Sequence, residues 1–225
     1  MRLQRYYVLA AVLFVAELAV SAWGFAQVGP DATVPVHWDA AGNPTGYGPA
    51  LLGFLLVPLI TVGLMAMFSV IPKVEPRRDN LERSASAYRT VAVAITVLMF
   101  GIHWVVVLAG TGRDAPVALV VGGGVGMLFA ALGNVMTTVR SNYMFGVRTP
   151  WTLSSERSWD RTHRLVGRLF VLAGVSFIAA SLLGRLLLVI WLLLGFVTSV
   201  LVVAFVYSYV VWRSDPDRRP IVGTR

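Results

Sequence analysis

The sequence predicts an all-α polytopic membrane protein with six transmembrane helices and both termini in the cytoplasm. Three observations predict it. Apolar residues make up 57% of the 225-residue chain and charged residues 13%, against roughly 45–50% and about 25% in soluble domains. Six stretches, 6–26, 51–71, 91–110, 117–139, 165–183 and 186–209, are predominantly apolar, and each supplies the roughly 20 residues that a helix needs to cross about 30 Å of hydrocarbon. With the amino terminus inside, all of the 19 basic residues except Arg113 and Arg185 fall on the cytoplasmic side, as the positive-inside bias requires. The net charge of +8 therefore reports topology and contact with anionic headgroups. Direct nucleic-acid binding is not expected.

The first span follows Arg2 and Arg5. This start also fits a secretory signal ending near Ser21-Ala22, but its length and Glu17 favour a retained span. The outer segment 27–50 is rich in turn chemistry, with Gly42-Asn-Pro44 and Gly46-Tyr-Gly-Pro49, and predicts a structured outer loop. His37, Trp38 and Tyr47 are its candidate binding residues; Trp38 and Tyr47 suit the membrane–water interface. His37 and Asp39 are too few for a metal site, which needs three or four ligands. The second span closes a first region, 1–71, and 72–90 reads as a cytoplasmic loop.

Residues 91–212 hold four spans. The fourth is the softest, opening with Gly122-Gly-Gly124 and carrying Gly126, Gly133 and Asn134. The last two form one apolar run, and a continuous helix over 165–209 would be about 67 Å long at ~1.5 Å per residue. The run must fold back, at Gly184-Arg185. Residues 213–225 are a polar tail.

The cytoplasmic segment 140–164 is the richest. Ser154 or Ser155 can cap a helix with Glu156 in its first turn. Trp159, His163, Val166 and Phe170 then recur at helical spacing. Arg157, Arg161, Arg164 and Arg168 recur two residues earlier, about 200° away on the opposite face. The arginines suit phosphate headgroups. The other face predicts a folded cap in which Asn142, Gly146, Arg148, Trp159 and His163 form a binding site, Arg148 offering five donors to a carbonyl, carboxylate or phosphate. Within the membrane, Glu17 and His103 lie at matched depth, about 17 and 18 Å from the cytoplasmic ends of their spans, and are expected to face each other. Asn134 lies nearer the cytoplasm. Such intramembrane polar groups fix packing or carry ions.

The chain has no cysteine and three histidines, which excludes thiolate chemistry, iron–sulfur clusters and Cys-ligated zinc. It lacks Gly-x-Ser-x-Gly, His-Glu-x-x-His and a phosphate-binding loop. No catalytic residue, metal or cofactor is expected.

The string from Asn142 to Thr152, followed by Trp159, His163, Arg164 and Gly167, resembles the SdpI family of bacterial membrane proteins. Pro35-Val-His-Trp38, Gly42 and Tyr47-Gly48 resemble the extracytoplasmic amino-terminal module often found ahead of it. Pro72, Asn80 and Tyr88 fit the intervening inner loop more loosely. The resemblance implies an SdpI-like membrane region over 91–212 in the bacterial plasma membrane. It implies immunity to a toxic peptide outside and signalling through a transcriptional repressor held inside. A small transporter or channel and a membrane-embedded enzyme are the rival readings.

Overall fold

A computed structural model describes residues 4–39 and 41–219. Arg2 and Arg225, which enter the charge argument, lie outside them, as does Ala40. Among the described residues the elements run α1 (Gln4–Val28), β1 (Thr33–Trp38), β2 (Pro44–Pro49), α2 (Ala50–Val74), α3 (Arg78–Arg83), α4 (Ala85–Gly110), a π-helical turn (Ala118–Gly122), α5 (Gly123–Met136), α6 (Pro150–Ser154), α7 (Glu156–Leu182) and α8 (Leu186–Arg213). Six helices among the described residues are long and apolar enough to span a membrane.

The spans form two units. In the first, α1, α2 and α4 pack together; in the second, α5, α7 and α8 do; α4 against α5 joins them. The α5–α7 contact is the closest. A Cβ on Gly126 would lie 2.7 Å from the Gly174 carbonyl oxygen, and one on Gly133 would lie 2.5 Å from that of Gly167. Glycine lets two backbones approach where any side chain would hold them apart. Gly126 and Gly133, among the glycines that soften the fourth span, are thus its contact face with α7, while Gly124 faces Leu98 of α4; the span opens with a π-helical turn before α5.

The two ends of the bundle have separate cores. At one end Tyr6, Phe68, Leu81 and Tyr88 cluster with Phe145 against them, which brings the start of α1, α3 and the 140–164 segment to one face. At the other end Val34, Ala50, Phe54 and Val107 are buried together. α7 and α8 meet in a tight turn at Leu183-Gly184-Arg185, with Gly184 at φ 66°, where the long apolar run had to fold back.

Two segments are more regular than the sequence reading. The outer segment is an antiparallel hairpin, β1 on β2, with an irregular register through Pro35, His37 and Trp38. Its prolines stand at the strand ends or on free edges, where no ladder donor is missed. Segment 72–90 is largely helical: α2 runs on to Val74, α3 follows, and α4 starts at Ala85.

Candidate functional site

The 140–164 segment folds into a cap on the cytoplasmic face. Asn142 is fully buried and shapes the loop. Its Oδ1 accepts from the Met144 and Phe145 amides at 2.8 and 2.9 Å, and its Nδ2 donates to the Arg140 carbonyl at 2.9 Å. Gly146 follows at φ 109°, a region disfavoured for any side chain. A Cβ there would sit 2.5 Å from His163 Nε2 and 3.3 Å from the Trp159 ring.

His163 closes the loop from below. Its Nε2 accepts from the Val147 amide at 3.0 Å, and its Nδ1 lies 2.8 Å from the Trp159 carbonyl. An amide can only donate and a carbonyl only accept, so Nδ1 carries the hydrogen. Trp159 stacks on this imidazole at 4.0 Å between ring centres and donates its indole N–H to the Val139 carbonyl at 2.7 Å. Both side chains are buried, as is Val166, while Arg157, Arg161, Arg164 and Arg168 are exposed, as the two opposite stripes require. Arg148 is exposed and donates to the Tyr143 carbonyl, which clips the loop's ends together. Thr149 caps α6 and Ser155 caps α7, accepting from the Thr152 and Ser158 amides. The five candidate cap residues are therefore brought into one folded unit.

The cap is braced from two sides by residues that sequence reasoning missed. Glu75, 1% exposed, accepts from the Arg77 amide at 2.8 Å and the Tyr143 amide at 3.1 Å. The Arg77 guanidinium donates to Ser141 Oγ, to Tyr143 Oη at 3.2 Å and to the Leu153 carbonyl at 3.1 Å. Asn80 donates to the Ser141 carbonyl at 2.7 Å. From the other side, Ser155 Oγ donates to Asp215 Oδ2 at 2.5 Å, which holds that carboxyl below its ordinary value. Ser158 Oγ donates to the Ser208 carbonyl at 2.8 Å. Pairings this distant leave no spacing signal. Between the braces lies a polar cavity of about 320 Å³, lined by Arg77, Asn80, Ser155, Glu156, Arg157 and Asp215 among others.

On the outer face, His37 and Tyr47 are exposed and Trp38 is half-buried. His37 Nδ1 shares a hydrogen bond with Thr45 Oγ1 at 2.8 Å. Asp39 Oδ1 accepts from the Ala41 and Asn43 amides at 2.8 Å each. The Asn43 amide is the main reason its carboxyl lies below the usual range. Asp39 is thus engaged in the hairpin turn, whose tip reaches the second unit. A Cβ on Gly42 would lie 3.6 Å from Val117 and 3.7 Å from Leu186.

Inside the first unit, Glu17 and His103 are both fully buried, but their side chains do not bond to each other. His103 Nε2 lies 3.0 Å from the Glu17 backbone carbonyl and 3.0 Å from Ser21 Oγ. The Glu17 carboxyl accepts from Thr61 Oγ1 at 3.0 Å, and Ser21 donates to the Phe54 carbonyl at 2.6 Å. One polar junction thus ties α1, α2 and α4. Ser21 follows Glu17 by four residues, a signal that the two share a face. Glu17 Oε2 and His103 Nδ1 have no hydrogen-bond partner among the described residues. Asn134 is exposed on α5, outside this junction.

Against known proteins, residues 138–209 match the model of the SdpI/YfhL protein family. This region begins one residue before Val139, whose carbonyl receives Trp159, and takes in the cap, α7 and most of α8. Residues 12–62 match a domain of unknown function, DUF1648, which spans most of α1, the hairpin and the first half of α2. The chain is 23% identical over 173 residues to "Immunity protein SdpI" of Bacillus subtilis (strain 168), covering 75% of this chain and 80% of that one. No solved structure matches. With its six apolar helices and this likeness, the chain is a multi-pass protein of the bacterial plasma membrane.

Proposed function

We propose that this is a membrane immunity protein of the SdpI type, which resists a toxic peptide at the membrane and relays its presence to a cytoplasmic partner. The observation that carries the reading is the coincidence of the SdpI/YfhL region with the interlocked cap. Residues 138–209 contain Asn142, Gly146, Arg148, Trp159 and His163, five residues of one folded unit. The curated relative's own name supports immunity as the task. The outer hairpin, with exposed His37 and Tyr47 beside Trp38, is the surface on which a peptide would arrive. The cap joins α5 to α7, so a shift of either helix alters what the cap displays. Its polar cavity offers a partner such as a repressor both arginines and carboxylates. No catalytic role is proposed.

A second reading, a small transporter, is favoured by Glu17 and His103, whose unpartnered buried atoms would suit a proton or ion. The exposed position of Asn134 removes it from such a path.

The test is survival. The protein is produced in a Bacillus subtilis strain lacking its own SdpI and challenged with that strain's secreted toxic peptide. Wild type should raise survival at least tenfold. Arg148→Ala, present at the membrane in normal amount, should lose most of that protection, while Arg157→Ala and Arg161→Ala should keep it. No protection by wild type at normal abundance would defeat the immunity reading. Equal, mild losses at all three arginines would defeat the assignment of the cap as the specific site.

A further inference from the structure

We propose that one anionic phospholipid of the inner leaflet binds in a groove along α4, its phosphate between Arg5 and Arg89 and an acyl chain in the seam between α4 and α5. Two cavities meet at Ala94. The lower, of about 860 Å³, lies between the starts of α1 and α4 and has Arg5 and Arg89 at its walls, with Leu9, Val93 and Ala94. The upper, of about 630 Å³, runs on from Ala94 between α4 and α5. It is lined only by apolar residues, among them Val97, Leu98, Gly101, Gly124 and Met127.

One stripe of α4 floors both. Arg89, Val93, Val97 and Gly101 recur every four residues, a row that winds only about 40° per step around a helix. Arg89 to Gly101 covers about 18 Å at ~1.5 Å per residue, close to the roughly 15 Å of hydrocarbon in one leaflet of a 30 Å core. The floor is low because glycine builds it: a Cβ on Gly124 would meet Leu98 at 2.7 Å, and one on Gly101 would meet Val120 at 3.1 Å.

The occupant follows from this distribution. The cationic groups stand at the cytoplasmic mouth with the polar side chains of Tyr6, Ser86 and Thr90, and the groove beyond Ala94 is apolar. That pattern fits an amphiphile with one charged head and a hydrocarbon tail. Two guanidiniums at the mouth favour a phosphate, which the arginine fork accepts with paired donors. A headgroup carrying its own cation would set like charge against them. The site is separate from the arginine stripe of α7, and it lies where the two units meet, so the bound chain packs both.

The test uses full-length protein in detergent, examined by native mass spectrometry with phosphatidylglycerol or phosphatidylcholine added. Wild type should retain one phosphatidylglycerol per chain and prefer it over phosphatidylcholine. Arg5→Ala with Arg89→Ala should weaken phosphatidylglycerol binding at least tenfold. Met127→Trp, on an exposed wall of the groove, should weaken it at least threefold with the helical circular dichroism unchanged. Arg161→Ala should leave it unaltered. Should the double variant not reach the membrane, Arg5→Gln alone carries the headgroup test. Equal binding of the two lipids, wild-type affinity in the arginine variant, no effect of Met127→Trp, or an equal loss in Arg161→Ala would each overturn the proposal.

Discussion

At Gly146 there is no room for a methyl group. The left-handed backbone and the 2.5 Å approach to His163 Nε2 act together, so Gly146→Ala must either strain its own φ or push the imidazole off Trp159. Overpacking of this kind costs about 1–3 kcal/mol. The expected outcome is local: the Val147 amide, which donates to His163 in the wild type, should exchange with deuterium at least tenfold faster in detergent, while α8 exchanges as before. Unchanged protection at Val147 would show that the loop tolerates the methyl. The residue types here were legible in advance. A glycine, a tryptophan and a histidine among arginines are not what solubility alone selects. Glu75 was not legible, because a carboxylate near the end of a span reads as an ordinary surface charge. Only the fold shows that it is 1% exposed and holds the Tyr143 amide.

α7 carries two kinds of surface along one helix. Its first turns are amphipathic and its later turns are apolar, and its start is fixed by Ser155, which accepts from Ser158 and donates to Asp215. This tie fastens the residues just after α8 to the cap. The Asp215 carboxyl is held below its ordinary 3.8, chiefly by the Ser155 hydroxyl. A depressed carboxylate stabilises the fold fully above its unfolded value, and that contribution is lost as the pH falls through the folded value. Asp215→Asn should therefore melt below wild type at pH 7 and pH 5 in detergent, and the two curves should converge below pH 3.8. A difference that persists undiminished to pH 3 would rule out the carboxylate as its source. The outer hairpin shows the opposite limit of element reading. Its prolines and glycines spell turns, and strand pairing between 33–38 and 44–49 depends on Val34 being buried against Phe54 and Val107, a contact with no local sequence trace.

For the molecule as a whole, topology is the property most exposed to test. The native chain has no cysteine, so single substitutions report cleanly. Thr45→Cys, exposed on the hairpin, should react with an impermeant maleimide in intact cells, and Glu156→Cys, exposed at the cap, should react only after permeabilisation; the reverse pattern would invert the bundle. The spans were legible because length and apolar content follow directly from the thickness of the bilayer; the sidedness rests on the charge counts along the chain. The grouping into two units was not. It depends on which glycines face one another, and Gly126, Gly133, Gly167 and Gly174 look no different in sequence from Gly195, whose added Cβ would meet open space. The tip of the hairpin gives this grouping a mechanical meaning. It grows from the first unit, yet Gly42 rests beside Val117 and Leu186 at the outer end of the second. It acts as a strap across the top of the seam. The two units are thus tied at both ends, outside by the tip and inside by Glu75, Arg77 and Asn80 holding the cap, and parting them at the outer end requires the tip to slide off Leu186.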